Sequence, residues 1–75
     1  MKRYLNVNGN SNIIAYEFGE DYIDIEFGDG SVYRYSYSSA GQYNVEEMKR
    51  LAEQGYGLNG YLMHNIRHGY EWKRR

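Results

Sequence analysis

The fold is decided by residues 22–35, which read YIDIEFGDGSVYRY. Apolar residues recur at every second position of the first half: Ile23, Ile25 and Phe27. A period of two is typical of a β-strand that has one buried and one wet face. The run ends in Gly28-Asp29-Gly30, and Asp-Gly between two alternating runs favours a tight hairpin because such turns need positive φ angles. A second alternating run, 31–37, follows, so the stretch predicts two antiparallel strands.

The segments before this hairpin extend it into a meander. Residues 13–18 form another strand-like run, and residues 19–21 make a short link to the next one. A polar cluster at 8–12 is typical of a turn. Residues 2–7, before that cluster, fit either an edge strand or a loose segment. In the run 31–37 three tyrosines share one face: Tyr33, Tyr35 and Tyr37.

A helix is predicted over residues 45–54. Asn44 is a good N-cap, and Glu47 stands three residues later, as in a capping box. One apolar stripe runs along the helix: Val45, Met48, Leu51 and Ala52. Charged residues occupy the opposite side, as in a helix that packs on a sheet. Gly55 is expected to end the helix.

The remaining residues predict a connector, a short helix and a last extended segment. Residues 56–60 contain two glycines and read as a flexible connector. Residues 61–67 fit a short helix that Gly69 ends. Residues 70–73 alternate again and predict either a last edge strand or an extended tail.

Together these elements predict one α+β domain over residues 1–75, an antiparallel three- to four-stranded meander packed against one main helix plus a short C-terminal helix. The expected core comprises Ile23, Ile25, Phe27, Met48 and Leu51. The chain has no cysteine, which excludes disulfides and thiolate zinc sites. No apolar run approaches the ~18–20 residues that span a bilayer. The polar N-terminus is unlike a signal peptide, so we expect a cytoplasmic protein without membrane contact.

Tyrosine and charge are distributed unusually. Ten of the 75 residues are tyrosine, and a small core cannot hide ten hydroxyls because each unpaired one costs about 1–3 kcal/mol. Residues 1–30 hold two bases and six acids, a sum of −4, whereas residues 31–75 hold seven bases and four acids, a sum of +3. The net charge of −1 argues against nonspecific binding to long duplex DNA, which needs a broad basic surface.

The order of several motifs resembles the KTSC domain family. The matching positions are Ser11, Ile14, Tyr16, Ile23, Ile25, Phe27, Gly30, Tyr33, Tyr35, Gly57, Asn59, Ile66, Arg67 and Tyr70. The resemblance covers residues 11–75, and its most specific part is Asn-Ile-Arg-x-x-Tyr at 65–70. It implies a small α+β fold, found alone and as an appendage to lysyl-tRNA synthetases. It implies no established activity, although it points towards nucleic-acid surroundings.

Aromatic and basic residues concentrate near the C-terminus, and this set is the candidate ligand-binding site. Its members are Arg34, Arg67, His68, Tyr70, Trp72 and Lys73. Guanidinium and ammonium groups pair with phosphate, and flat rings stack on bases at about 1–3 kcal/mol each. The alternative is structural: Tyr33, Tyr35 and Trp72 form the core and Arg67 caps a helix end.

Other chemistry has weaker support. His64 and His68 are four residues apart, a spacing that supplies two metal ligands on a helix, but no Glu-rich partner motif accompanies them and a third ligand would have to come from Glu71 or from an Asp or Asn across the fold. Asp24 and Glu26 share one strand face, which we expect to be exposed and therefore unable to raise a carboxyl pKa for catalysis. We expect no metal, no cofactor and no enzymatic activity.

Two functions from different classes remain open. The first is a non-enzymatic binding module that recognises a nucleotide or single-stranded nucleic acid through the aromatic and basic surface, as a sequestering oligomer. The alternative is a small phage-type protein-interaction inhibitor of a host factor, which uses its acidic hairpin or tyrosine-rich surface. A homo-oligomer is expected in either case, because a 75-residue core is marginal and exposed rings favour association.

Overall fold

A computed structural model of the chain describes residues 1–66 and 68–75. These residues form one antiparallel sheet whose five strands lie side by side in chain order. The strands are β1 (Lys2–Arg3), β2 (Ile13–Phe18), β3 (Tyr22–Phe27), β4 (Val32–Ser36) and β5 (Trp72–Arg74). Three helices accompany the sheet in this part of the chain: α1 (Tyr37–Ala40), α2 (Gln42–Gln54) and α3 (Leu58–Asn65).

The predicted α+β class and antiparallel meander are confirmed. The two segments whose state the sequence left open both pair with the sheet, β1 with β2 and β5 with β4. These short outer strands raise the strand number from the predicted three or four to five among the described residues. β5 pairs with β4 rather than with β1, so the C-terminal segment lies beside the predicted hairpin.

The core lies between one face of the sheet and the helices. Ile23 and Ile25 are fully buried there, as their alternation predicts, and α2 contributes Met48 and Leu51 to the same cluster. Burying each side chain of this size stabilises the fold by about 1.5–3 kcal/mol. Phe27 is partly buried and packs at the edge of the cluster.

The main helix begins earlier than predicted, and Asn44 is not its N-cap. α2 begins at Gln42 after Gly41, and the Asn44 side chain donates to the Ala40 carbonyl oxygen at 2.8 Å. The capping box forms upstream instead, where Ser36 and Ser39 exchange hydrogen bonds at the start of α1. The Asn44 amide oxygen also accepts a hydrogen bond from the Tyr61 hydroxyl, a contact that the local sequence does not reveal.

The predicted end of the main helix is confirmed, and the predicted start of the second helix is wrong. Gly55 follows α2 with a left-handed φ of 89°, and its N–H donates to the Leu51 carbonyl. α3 begins at Leu58 rather than at residue 61 and ends at Asn65. Leu58 and Leu62 are four residues apart and both buried, so their packing extends the helix across the predicted connector. Arg67, the predicted last residue of that helix, lies outside the described residues.

No helix within residues 1–66 and 68–75 is both long enough and apolar enough to cross a membrane.

Candidate functional site

The pairing of β4 with β5 separates the predicted ligand-binding residues onto two faces of the sheet. Arg34 pairs with Trp72, and Tyr33 pairs with Lys73. Residues that pair directly in an antiparallel ladder point to the same face, and successive residues point to opposite faces. Arg34 and Trp72 therefore share one face, while Lys73 lies on the other with Tyr33. Arg67 lies outside the described residues, so the structure does not place it.

Arg34 forms a bidentate ion pair on the face that points away from the core, which we call the outer face. Its Nε and Nη2 donate to Oδ1 and Oδ2 of Asp24 at 2.7 and 2.9 Å. The guanidinium carbon lies 3.9 Å from the ring centroid of Tyr22 and 5.1 Å from that of Trp72. The hydrogen bond to Asp24 raises the pKa of Arg34 above its ordinary value.

The expectation that Asp24 is exposed is wrong, since only 5% of its surface is accessible. The Arg34 guanidinium and the flanking rings cover it, and a strand pattern by itself does not predict that cover. Because both carboxylate oxygens accept from Arg34, the hypothesis of a free Asp24–Glu26 carboxylate pair loses its geometric basis.

Trp72 also has partners on the outer face. Its ring centroid lies 5.1 Å from the Arg34 guanidinium carbon and 5.4 Å from that of Arg74. Contacts of this kind are attractive by about 0.5–1 kcal/mol at exposed sites. The cation–ring contacts join β3, β4 and β5 across the outer face, which favours a structural role for Arg34 and Trp72.

The other predicted residues line one cavity on the core side of the sheet, which we call the aromatic pocket. Its volume is about 430 Å³. Tyr70, His68 and Lys73 contribute to its wall together with residues of β3, β4 and α3. The ligand candidates on this face are thus brought together by the fold, whereas Arg34 and Trp72 lie outside the pocket.

Three tyrosine rings form the aromatic wall of this pocket. The Tyr70 ring meets Tyr33 edge to face at 5.0 Å between centroids, and it meets Tyr35 in the same way at 6.3 Å. Tyr35 is buried, and burial raises the pKa of its hydroxyl above the ordinary value. Tyr33 and Tyr70 are only half-buried, so part of each ring faces the pocket.

Charged groups stand beside these rings. The Lys73 Nζ lies 5.6 Å from the centroid of Tyr33, and exposed His68 adds a second titratable nitrogen. Asp29 lies at the rim, where Ser31 donates to its Oδ1 from the backbone N–H and from the hydroxyl at 2.9 and 2.6 Å. Both hydrogen bonds lower the pKa of Asp29, and the one from the Ser31 hydroxyl has the larger effect.

Two further pocket residues are not among the predicted ligand-binding residues. Asn12 comes from the turn before β2, and Asn59 comes from the first turn of α3. The two asparagines are 47 positions apart, 12 to 59, and only the tertiary fold brings them to one cavity. Tyr33 was recognised as sharing a face with Tyr35, but the alternation of a single strand does not say what that face meets.

The histidine pair gains no further ligand from the fold. Within the described residues, no group of three or more histidine, cysteine, aspartate or glutamate side chains is arranged to hold a metal ion. His64 and His68 are both exposed. His64 lies on α3, whereas His68 lies beyond its end, so one helix does not hold both side chains as the metal hypothesis assumed.

Comparisons of the chain with family models, with curated proteins and with solved structures gave no match. The KTSC resemblance therefore stays a prediction from the sequence motifs.

Proposed function

We propose that the protein is a non-enzymatic binding module that takes a nucleotide, or one nucleotide of a single strand, into the aromatic pocket. One observation carries the proposal. A single cavity of about 430 Å³ joins the cationic Lys73 and the titratable His68 to the partly open rings of Tyr33 and Tyr70.

The pocket has the size and chemistry that such a ligand needs. Small-molecule sites commonly measure about 300–1,000 Å³. The rings of Tyr33 and Tyr70 offer flat apolar surface, and base stacking on aromatic side chains contributes about 1–3 kcal/mol per base. Lys73 supplies a point charge for phosphate beside those rings.

Neutral polar groups complete the pocket. The side chains of Asn12 and Asn59 reach its wall, and each amide can donate and accept a hydrogen bond. Base edges present the same two kinds of group, so these asparagines suit a base better than they suit a hydrocarbon ligand.

Two ionisable groups of the pocket, Tyr35 and Asp29, favour binding without catalysis. The Tyr35 hydroxyl is a phenol that is already protonated at neutral pH, and burial raises its pKa further, which disfavours a nucleophile or general base at that position. The Asp29 carboxylate is already engaged by Ser31.

The test is calorimetry of the purified protein with mononucleotides, cyclic nucleotides and short single strands. Lys73→Ala should weaken the ligand about tenfold, the effect of losing one charge-assisted hydrogen bond. Arg74→Ala is the matched control, because it removes the same charge from the next residue but on the outer face, opposite Val32. Affinity should fall with added salt, since part of it is phosphate pairing.

The proposal is contradicted if none of these ligands produces binding heat. It is also contradicted if Lys73→Ala and Arg74→Ala weaken the ligand affinity equally. Native mass spectrometry of the same sample counts the subunits and reveals a retained nucleotide, which tests the expected homo-oligomer. The protein-interaction alternative has less support from its acidic hairpin, which holds six acids within residues 17–29. Two of these acids are already engaged, Asp24 by Arg34 and Asp29 by Ser31.

A further inference from the structure

Within residues 1–66 and 68–75, no helix covers the outer face of the sheet. Side chains from all three helices pack with Ile23 and Ile25 in one cluster, which lies on the core side. An antiparallel sheet commonly leaves one polar face to water, so an uncovered face by itself does not indicate a partner. The residues on this face, and the placement of their charges, are what indicate one.

One part of the outer face consists of residue types that dominate protein interfaces. The rings of Tyr22 and Trp72 flank the Arg34 guanidinium there, at 3.9 and 5.1 Å from its carbon to their centroids. Tryptophan, tyrosine and arginine are the residues most enriched at the energetic hot spots of interfaces. The ion pair with Asp24 fixes the guanidinium, so this surface is ordered before a partner binds, which lowers the entropic cost of association.

The charges on the outer face are balanced in number and separated by sign. By the strand register, the strands place three acids and three arginines on this face: Glu17, Asp24, Glu26, Arg3, Arg34 and Arg74. All three acids belong to β2 and β3, whereas two of the arginines belong to β4 and β5. A face with no net charge is poorly suited to a polyanion, which needs a basic surface. Its acidic and basic sides are instead complementary to each other.

Glu26 and Arg74 are the charges that this arrangement places best for an intermolecular contact. Both pair with Val32 through the register, so they flank it in one row across β3, β4 and β5. Adjacent strands lie about 4.8 Å apart, which separates the two Cα positions by about 10 Å. Neither side chain has an ion-pair partner in the part of the chain that the structure describes.

We propose that the outer face binds a second copy of this chain, sheet against sheet. A two-fold axis along β4 places Glu26 over Arg74 of the second copy and Arg74 over Glu26 of the second copy, with the two Val32 side chains between them. In a two-fold contact of this kind every favourable pair forms twice. The strands of the two sheets stay nearly aligned, which is a common way for sheets to pack. The aromatic pocket lies on the core side, so the contact does not depend on a nucleotide.

Dilution of the full chain from about 1 mM to 1 μM tests this association. Light scattering should give twice the mass of one chain at the upper end of the range. Trp72 is the single tryptophan of the sequence, and it is only half-buried in one copy. Its fluorescence emission should therefore move to shorter wavelength as the dimer forms. Added salt should weaken the dimer, because salt screens charges near the surface.

Charge reversal on the two sides of the contact is the sharper test. Glu26→Arg and Arg74→Glu, each by itself, should weaken self-association at least about tenfold, because like charges then face each other. An equimolar mixture of the two variants should associate again, since opposite charges face each other in the mixed dimer. Glu53→Arg is the matched control, because it makes the same charge change on an exposed residue of α2 and should leave the dimer unchanged.

A chain that stays monomeric at about 1 mM would overturn the inference. So would a dimer that both reversals leave intact, or one that the mixture of variants does not restore. If the chain stays monomeric while a single-stranded oligonucleotide shifts the Trp72 emission, the outer face binds nucleic acid rather than a second copy, and the inference is overturned in that case as well.

Discussion

Arg34 and Asp24 face each other directly across β3 and β4 and form a bidentate ion pair with N–O distances of 2.7 and 2.9 Å. The rings of Tyr22 and Trp72 flank the guanidinium. Asp24 is thereby withdrawn from water on the sheet face that the sequence predicts to be wet. The pair links the predicted hairpin to β5, since Arg34 also pairs with Trp72 through the backbone register.

Removing the Arg34 side chain should destabilise the protein, because it leaves a buried carboxylate without its partner. Loss of one member of a fully buried pair costs about 3–5 kcal/mol, and partial exposure of Arg34 reduces the expected cost to about 1–3 kcal/mol. Urea unfolding of Arg34→Ala measures it. Arg50→Ala is the control, since it breaks the exposed pair with Glu47 and should change stability little. Equal effects of the two substitutions would contradict the structural role of the outer-face pair.

Two glycines should respond to alanine in opposite directions. Gly55 has a φ of 89°, and a Cβ there would lie 2.8 Å from the Leu5 Cβ, so Gly55→Ala should cost at least about 1–2 kcal/mol. Gly60 lies inside α3, and its Cβ would meet nothing within 4 Å. Gly60→Ala should therefore stabilise the protein by about 0.5–1 kcal/mol. Thermal melts of the two variants decide this, and a shift in the same direction would argue against one of the two local conformations.

Leu51→Ala should destabilise the protein by about 2–5 kcal/mol, because it opens a cavity between α2 and the sheet. That is a large fraction of the stability of a small domain. Met63→Ala provides a comparison, since Met63 is exposed on α3 and its truncation should cost little. An unchanged melting temperature for Leu51→Ala would mean that α2 does not pack as described.

The tyrosine hydroxyls should make stability fall at alkaline pH. The Tyr37 hydroxyl donates to Glu46 Oε2 at 2.6 Å, and this bond raises the pKa of Tyr37 from 10.0 to about 12. A raised phenol pKa means that the folded state favours the neutral form, so the stabilisation is complete below pH 10 and is lost as the pH rises towards 12. Burial shifts Tyr35 in the same direction.

Phenolate absorbance and circular dichroism, followed together, measure this dependence. Part of the phenolate absorbance should appear only at a pH above the ordinary tyrosine pKa, and Tyr37→Phe should remove some of this high-pH component. If all tyrosines titrated together near the ordinary pKa while the fold stayed intact, the raised pKa values of Tyr35 and Tyr37 would be contradicted.

Local patterns determined most of the sheet and the middle of the main helix. The alternation of Ile23 and Ile25 predicted both the strand and its buried face, since successive side chains of a strand point to opposite sides whatever the rest of the chain does. Gly55 ended α2 as predicted, because a left-handed residue after a helix is a local requirement that glycine meets at least cost. The same reasoning failed at Asn44, whose amide bonds to Ala40 and Tyr61 rather than capping a helix.

The composition of the candidate site was partly predictable from sequence, and its geometry was not. The concentration of rings and bases near the C-terminus is visible in the residues themselves, but the β4–β5 register decides that Lys73 lies in the aromatic pocket and Trp72 on the outer face. A shift of one residue would exchange the two, because the side-chain period of a strand is two. Asn12 and Asn59 reach the site from distant parts of the chain. Such convergence depends on long-range packing, which leaves no periodic trace in the sequence.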